Sequence, residues 1–373
     1  MKKRCIKFLT ICLMVASLFS CNQIGQENNE ISTVQATVIE IEKYGHAVLD
    51  ITTEDFMKYG YELGDVISVY FNDCEYTMPF YDGYYSNPGS CLLRGTKPEA
   101  YIAVCINYGD FSVENNITIG DSAKIKMVEK AGMRAIQELY ALQYSNDPKD
   151  YPDIVTFTNF RAITAGRIGE GKLYRTSSPI NNENGRADYS SDFIESVGVA
   201  TVLNLSDSYE DVEKYLNDTS CDSNYYRNLY ESGSVIAVDL TGNFYSEEFA
   251  SSIAEGFTFL ANNKTPYCIH CTEGKDRTGF AAMLLEALMG ATLDEIIDDY
   301  MLTFYNYYGI DKEREPELYQ AVLNVNLIAM LCHISGVSVE KLKQTDLEIA
   351  ATTYLLKAGM TNEDILKLKQ ALE

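Results

Sequence analysis

Residues 266–288 read PYCIHCTEGKDRTGFAAMLLEAL. The short apolar run Tyr267-Cys268-Ile269 predicts a buried strand, with Cys268 part of its core. A Gly-containing loop follows, and then Phe280, Ala281, Leu284, Leu285 and Leu288 recur at helical spacing. Strand, loop and helix in that order make an anion cradle. The unpaired N–H groups at a helix N-terminus converge on one point, and the helix dipole favours negative charge there. Cys271 opens the loop and Arg277 closes it. A phosphoryl dianion asks for several N–H donors and one bidentate guanidinium, which Arg supplies better than Lys. The same donors favour a thiolate at Cys271 beneath the anion, so nucleophile and anion site share one loop. Gly274 permits the tight wrap and Gly279 the close approach of helix to strand. A bare Cys-x5-Arg is a weak signal, whereas the unbroken run His270–Gly279, HCTEGKDRTG, is a specific one. The competing reading of Cys271 is a structural cysteine closing a core strand.

HCTEGKDRTG closely resembles the signature loop of the atypical bacterial tyrosine and phosphoinositide phosphatases, a protein-tyrosine-phosphatase-like group whose loop reads His-Cys-x-x-Gly-Lys-Asp-Arg-Thr-Gly. The resemblance implies a cysteine-dependent phosphatase with a phosphocysteine intermediate and no metal or other cofactor. It implies Cys271 as nucleophile, Arg277 on the phosphate, and Asp276 as general acid. It also implies Lys275 as a contact for extra phosphates on inositol lipids, and Thr278 as the hydroxyl that steadies the departing sulfur. Thr272, Glu273, Gly274 and Gly279 complete the expected substrate-binding loop. His270 is expected to orient the loop by hydrogen bonding and to assist the thiolate. Ordinary tyrosine phosphatases take their acid from a separate mobile loop, which keeps Asp239, near the end of the strand in SVIAVDLTGNF, as the rival proton donor.

The resemblance extends over most of residues 155–373. TNFRAITAGRIGEGKLYRTSSP matches the family's first segment, an Asn159-Phe160-Arg161 turn and then a Gly-rich strand ending Tyr174-Arg175-Thr176. Arg161 and Arg175 are open to two readings, structural ion-pair partners or phosphate ligands. Where the family usually has Asp-Leu-Arg, this chain has Asn204-Leu205-Ser206. The C-terminal stretch is helical, with a Gly359 stop and a capping box at Thr361-Asn362-Glu363-Asp364. The expected fold class is α/β, a cysteine-phosphatase fold with a central, mostly parallel sheet flanked by helices. His333 is expected to be a core or surface residue.

Ahead of it, residues 35–128 alternate like strands between turn signals and predict a small all-β, barrel-like domain. The segments DVISVYF, MPFYDGYYSNPGS, AVCINYGDFS and IGDSAKIKM weakly resemble the C-terminal β-barrel of the S-adenosylmethionine hydroxide adenosyltransferases. Those enzymes need a second, larger domain, and no stretch of this sequence reads as one, so docking, substrate gating or spacing is the expected role. Tyr76, Tyr81, Tyr84 and Tyr85 are either a ligand-facing cluster or ordinary loop and core tyrosines. Residues 129–145 predict a linker helix, and 146–373 the catalytic domain.

Residues 1–20 have a basic start and a short apolar stretch, the pattern of a signal peptide. The stretch ends Leu18-Phe19-Ser20-Cys21 and resembles a lipoprotein box, which implies lipidation of Cys21, export, and attachment to the bacterial cell membrane by the lipid alone; an ordinary secretory signal is the alternative. Residues 21–34 predict a flexible tether. No later run reads as apolar and long enough to span a bilayer. The net charge of −24 argues against a nucleic-acid partner and leaves phosphate attraction to local groups. The three histidines and ten cysteines show no metal-ligand spacing, and one disulfide among Cys74, Cys91 and Cys105 is conceivable. The expected partner is a phosphorylated protein or a phosphoinositide. The alternatives are a phytase-like inositol polyphosphate phosphatase and a non-catalytic phosphate-binding surface lipoprotein.

Overall fold

Alternating apolar and polar residues give the first unit its strands. The computed structural model describes residues 33–72, 74–218, 223–240 and 242–373, in two units divided between Leu142 and Gln143. The signal sequence, Cys21, most of the tether and Cys221 lie outside the described residues. Strands β1 (Val34–Ile41), β2 (Ala47–Thr52), β3 (Val66–Phe71), β4 (Cys74–Tyr81), β5 (Cys91–Arg94), β6 (Tyr101–Ile106) and β7 (Ser122–Glu129) close a barrel in the order β1-β2-β6-β5-β4-β3-β7. Neighbours are antiparallel except β4 and β5, which run parallel. Inward residues such as Val38, Leu49, Ile67, Val69, Phe80, Val104 and Ile125 fill the barrel. Closure removes the exposed sheet edges. Two short helices, Thr53–Lys58 and Phe111–Asn115, interrupt the strands, each capped by a side chain, Thr52 and Asp110 respectively.

Three expectations change here. The helix after the barrel is shorter, Arg134–Ala141, and lies within the first unit. Its flank, Met133 and Ile136, packs on an outer cluster of Val48, Tyr81, Leu92, Ala103 and Cys105, so its apolar stripe covers the barrel. No disulfide forms among Cys74, Cys91 and Cys105, which are all free. Cys91 is opposite Ile106 while Cys105 is opposite Leu92, so the two thiols project to opposite faces of the sheet. The tyrosines divide: Tyr76 packs edge-on to Phe111, Tyr81 is buried, Tyr85 stacks on Tyr140 at 4.3 Å, and Tyr84 alone of the four is strongly exposed, at 42%.

The second unit is mixed α/β. Strands β8 (Arg161–Ala162), β9 (Leu173–Thr176), β10 (Thr201–Asn204), β11 (Val235–Ala237) and β12 (Tyr267–His270) form a sheet in the order β11-β10-β12-β9-β8. The first four run parallel and β8 antiparallel. His270 is level with Asn204 on one side and Thr176 on the other. The loops after three parallel strands therefore leave the sheet at the same height, where such sheets bind ligands. The helix after β12, Asp276–Leu288, is buried along its whole length from Thr278, not on one face, because helices also pack on the side away from the sheet. The helical stretch Pro316–Ser335 includes a π-turn at Leu323–Ile328. It is 20 residues long and an 18-residue window of it has a mean hydropathy of 1.4, so by length and composition alone it is long and apolar enough to cross a membrane, unlike the sequence expectation for later runs, although 44% of that window is buried inside the fold.

Phe56, fully buried, stacks on Tyr61 at 4.2 Å and meets Phe80 edge-on at 5.1 Å. Phe56→Ala should destabilise the barrel by about 3–5 kcal/mol, read as a lower midpoint for its transition in denaturant titration of the full chain. An unchanged midpoint would show that the site collapses around the lost ring.

Candidate active site

Every carbonyl from Thr272 to Lys275 is engaged by a donor outside the loop's centre. Thr272 O accepts from the Ser178 amide at 3.0 Å, and Lys275 O from the Gly279 amide at 2.7 Å. Glu273 O accepts from the Tyr307 hydroxyl at 2.5 Å. Gly274 O accepts from Asn159 Nδ2 at 3.0 Å and Arg175 Nη2 at 2.9 Å. With the carbonyls turned outward, the amides turn inward. The helix Asp276–Leu288 also has no side-chain cap, unlike those starting at Glu247, Leu293 and Asn362, so its first N–H groups add to the same set. Gly274 has φ +65°, and a Cβ there would meet Thr176 O at 2.3 Å, so only glycine fits. At Gly279 the ring of Tyr300 approaches to 3.0 Å of a would-be Cβ.

Cys271 sits at the base, 3% exposed. Arg277 is half-buried. Its guanidinium makes three long contacts, to Ser206 O at 3.5 Å, Leu240 O at 3.2 Å and Thr272 Oγ1 at 3.4 Å. Such contacts are weak enough for an oxyanion to replace. Thr278 is buried, and its hydroxyl has no hydrogen-bond partner among the described residues. His270 is buried against Tyr226, whose hydroxyl is 3.2 Å from Nε2. Burial pushes its pKa down to about 3, with the Arg277 charge acting the same way and the Cys271 backbone opposing. Burial thus favours the neutral imidazole, with Nε2 on the Tyr226 hydroxyl.

At the rim, Lys275 is already paired. Its ammonium is 2.7 and 2.9 Å from the two Asp276 carboxylate oxygens and 3.5 Å from Glu273. Burial disfavours that charge, but Asp276, Tyr308 and Glu273 hold it firmly protonated. Glu273 accepts from the Tyr144 hydroxyl at 2.5 Å. Asp239 is exposed, at φ +43°, beside the Leu240 carbonyl that touches Arg277. Asp239 thus follows β11 and precedes the residue whose carbonyl touches Arg277, while Asp276 is Arg277's own neighbour at the start of the helix after β12.

Sequence reading missed a third carboxyl in this region, Asp207, which is buried and accepts from Asn204 Nδ2 at 2.9 Å. Burial raises its pKa, against the pull of Asn204, Ser206 and Arg277. Asn204 also binds its own loop, through the Ser206 and Asp207 amides, and so fixes the carbonyl that meets Arg277. Asn204 therefore holds this loop in the place where the family usually carries Asp-Leu-Arg.

Arg161 and Arg175 lie under the loop as ion-pair partners of Asp299, at 2.7 and 2.5 Å. Burial opposes ionisation of Asp299, but the two guanidinium groups hold its carboxyl well below the ordinary range. Beside it, burial and then the Asp299 charge push Glu286 well above its ordinary value. Glu286 is protonated in the folded chain and ionised in the unfolded chain above pH 4.5, so stability falls as pH rises from there. Glu286→Gln should remove that slope, up to about 1.4 kcal/mol per pH unit, in denaturant midpoints taken from pH 5 to 8. A slope unchanged in the variant would mean that Glu286 is ionised in the fold.

Among the described residues no group of three His, Cys, Asp or Glu side chains is placed to hold a metal ion.

A family model described as "Tyrosine phosphatase family" matches residues 155–373. A Cupriavidus necator protein, named as a candidate tyrosine-protein phosphatase, is 42% identical over 67 residues, which is 17% of this chain and 23% of that protein. The chain thus spans about a quarter of that relative's length. Among solved structures, the core catalytic domain of the PP-IP phosphatase SIW14 from S. cerevisiae, in complex with citrate, is 22% identical over 45% of this chain and 92% of its own, at a TM-score of 0.27. An uncharacterised conserved protein from Thermotoga maritima is 17% identical over 29% of this chain and 42% of its own, at a TM-score of 0.24.

Proposed function

This chain belongs to the tyrosine phosphatase family, and from that premise we propose that it hydrolyses phosphomonoesters through a phosphocysteine at Cys271, on a cysteine-phosphatase fold. The observation that carries the reading is a loop whose carbonyls are all held by outside donors, opened by a buried cysteine and followed by a guanidinium held only by long contacts. Substrate phosphate docks on those amides and on Arg277. The Cys271 thiolate attacks phosphorus in line as the bond to the leaving oxygen breaks. Asp276 gives that oxygen its proton, then takes one from the water that cleaves the S–P bond, returning thiolate and inorganic phosphate. Thr278, with its unpartnered hydroxyl, supports the departing sulfur. Asp239 remains the rival donor, because both Asp276 oxygens are engaged by the Lys275 ammonium.

The substrate class follows from which cations are free. Lys275 is neutralised by two carboxylates, Arg161 and Arg175 share Asp299, and Arg186 is enclosed by the rings of Tyr144, Tyr151, Phe157 and Tyr307. This arrangement favours one phosphoryl group on a tyrosine or a lipid headgroup over a crowded polyphosphate such as phytate. The N-terminal sequence supports export and a lipid anchor at Cys21 as the setting, with the barrel as a docking or spacing module.

Cys271→Ser should abolish turnover of phosphotyrosine peptide while retaining phosphate binding; turnover in that variant on any phosphomonoester would overturn the covalent route. Asp276→Asn should slow alkyl phosphates by about 100-fold and activated aryl phosphates little. If Asp239→Asn shows that leaving-group dependence instead, the acid is Asp239. Vanadate should inhibit and EDTA should not.

A further inference from the structure

The inward amides depend on peptide planes that could turn over. Gly274 lies between two of them, and glycine offers little resistance to rotation of either neighbour. A flip of the 273–274 or 274–275 plane would replace an N–H with a carbonyl oxygen pointing at the anion, so the loop itself does not specify its own polarity.

What specifies it comes from two remote segments. The helix Leu293–Tyr308 carries Asp299, Thr303 and Tyr307 at intervals of four, hence on one face. The helix Ile154–Thr158 ends in Asn159, left-handed at φ +55°. Asn159 Oδ1 accepts from Arg161 Nη1 at 2.6 Å and Asn306 Nδ2 at 2.9 Å, so its Nδ2 is the end that must face Gly274 O. Arg175, fully buried, is aimed at the same carbonyl by its ion pair to Asp299. Thr303 Oγ1 ties the two strands of this network together, within 2.9 Å of Arg161 and 3.3 Å of Asn159. Tyr307, buried among aromatic rings, donates to the next carbonyl back, Glu273 O.

We infer that Tyr307, Asn159 and Arg175 are positioning residues that hold the Glu273 and Gly274 carbonyls out of the anion site, so that the loop binds a phosphoryl group only while these donors are in place. None of them is placed on substrate. Loss of one donor frees one plane, and the freed carbonyl repels the dianion that the amide had bound.

The inference rests on the proposed phosphate site, and the test separates the two. In the full chain, orthophosphate should protect Cys271 from iodoacetamide. Tyr307→Phe and Asn159→Gly, the latter chosen because glycine tolerates the left-handed backbone, should each weaken that protection by about tenfold and lower kcat/KM in parallel. The thermal midpoint of Tyr307→Phe should stay near that of the parent. A purely structural role would lower the midpoint and leave phosphate affinity alone. Two folded variants that bind phosphate as the parent does would overturn the inference while leaving the site reading intact; lack of protection in the parent would overturn both. If Asn159→Gly does not fold, Tyr307→Phe decides alone.

Discussion

A short loop can bind a dianion only if its carbonyls face away from it, and the second unit is arranged to meet that condition. The four carbonyls from Thr272 to Lys275 are taken by an amide after β9, a tyrosine from one helix, an asparagine and an arginine from the segment around β8 and β9, and the first turn of the following helix. Of these donors, Arg175 and the Ser178 amide are set beside the loop by β9, which ends level with β12. Had β12 ended a residue earlier or later, its pleat would have turned Cys271 to the other face of the sheet. The fold therefore matters to the site chiefly through register.

The charges beneath the loop follow from the same condition. Arg175 reaches the Gly274 carbonyl only because it is buried, and a buried guanidinium is costly without a counter-ion. Asp299 supplies one and is shared with Arg161; Glu286, next to it, stays protonated because two adjacent buried carboxylates cannot both ionise cheaply. Two guanidinium charges then face one carboxylate, and the surplus positive charge lies below the anion site. The charge that attracts phosphate in this acidic chain is thus local and fixed in the interior, with Arg277 completing it at the surface.

The sequence made some of this legible and hid the rest. HCTEGKDRTG was readable because strand, loop and helix are consecutive, so all the chemistry in it is local. The barrel strands were readable because one face is wet and one dry, which imposes a period of two. The anchoring of the loop was not: Asn159 and Arg175 stood out only as parts of the first segment, and Tyr307, more than 130 residues later, meets them only in the fold. The signal available was the four-residue spacing of Asp299, Thr303 and Tyr307, which puts three hydrogen-bonding side chains in one line along the helix. The loop helix hid its burial for the opposite reason: a helix covered on all sides loses the one-sided pattern that the eye seeks. Arg161 and Arg175 were open between phosphate and structure until Asp299 was found beside them.

Everything turns on whether the sulfur of Cys271 receives the phosphoryl group. The most direct measurement mixes the full chain with radiolabelled phosphotyrosine peptide, denatures it in detergent at alkaline pH within one turnover, and maps the label. The expected result is an alkali-stable, iodine-releasable label on the peptide carrying Cys271, absent from the Cys271→Ser chain. Steady product release with no label on the chain at any quench time, or label on another residue, would contradict it.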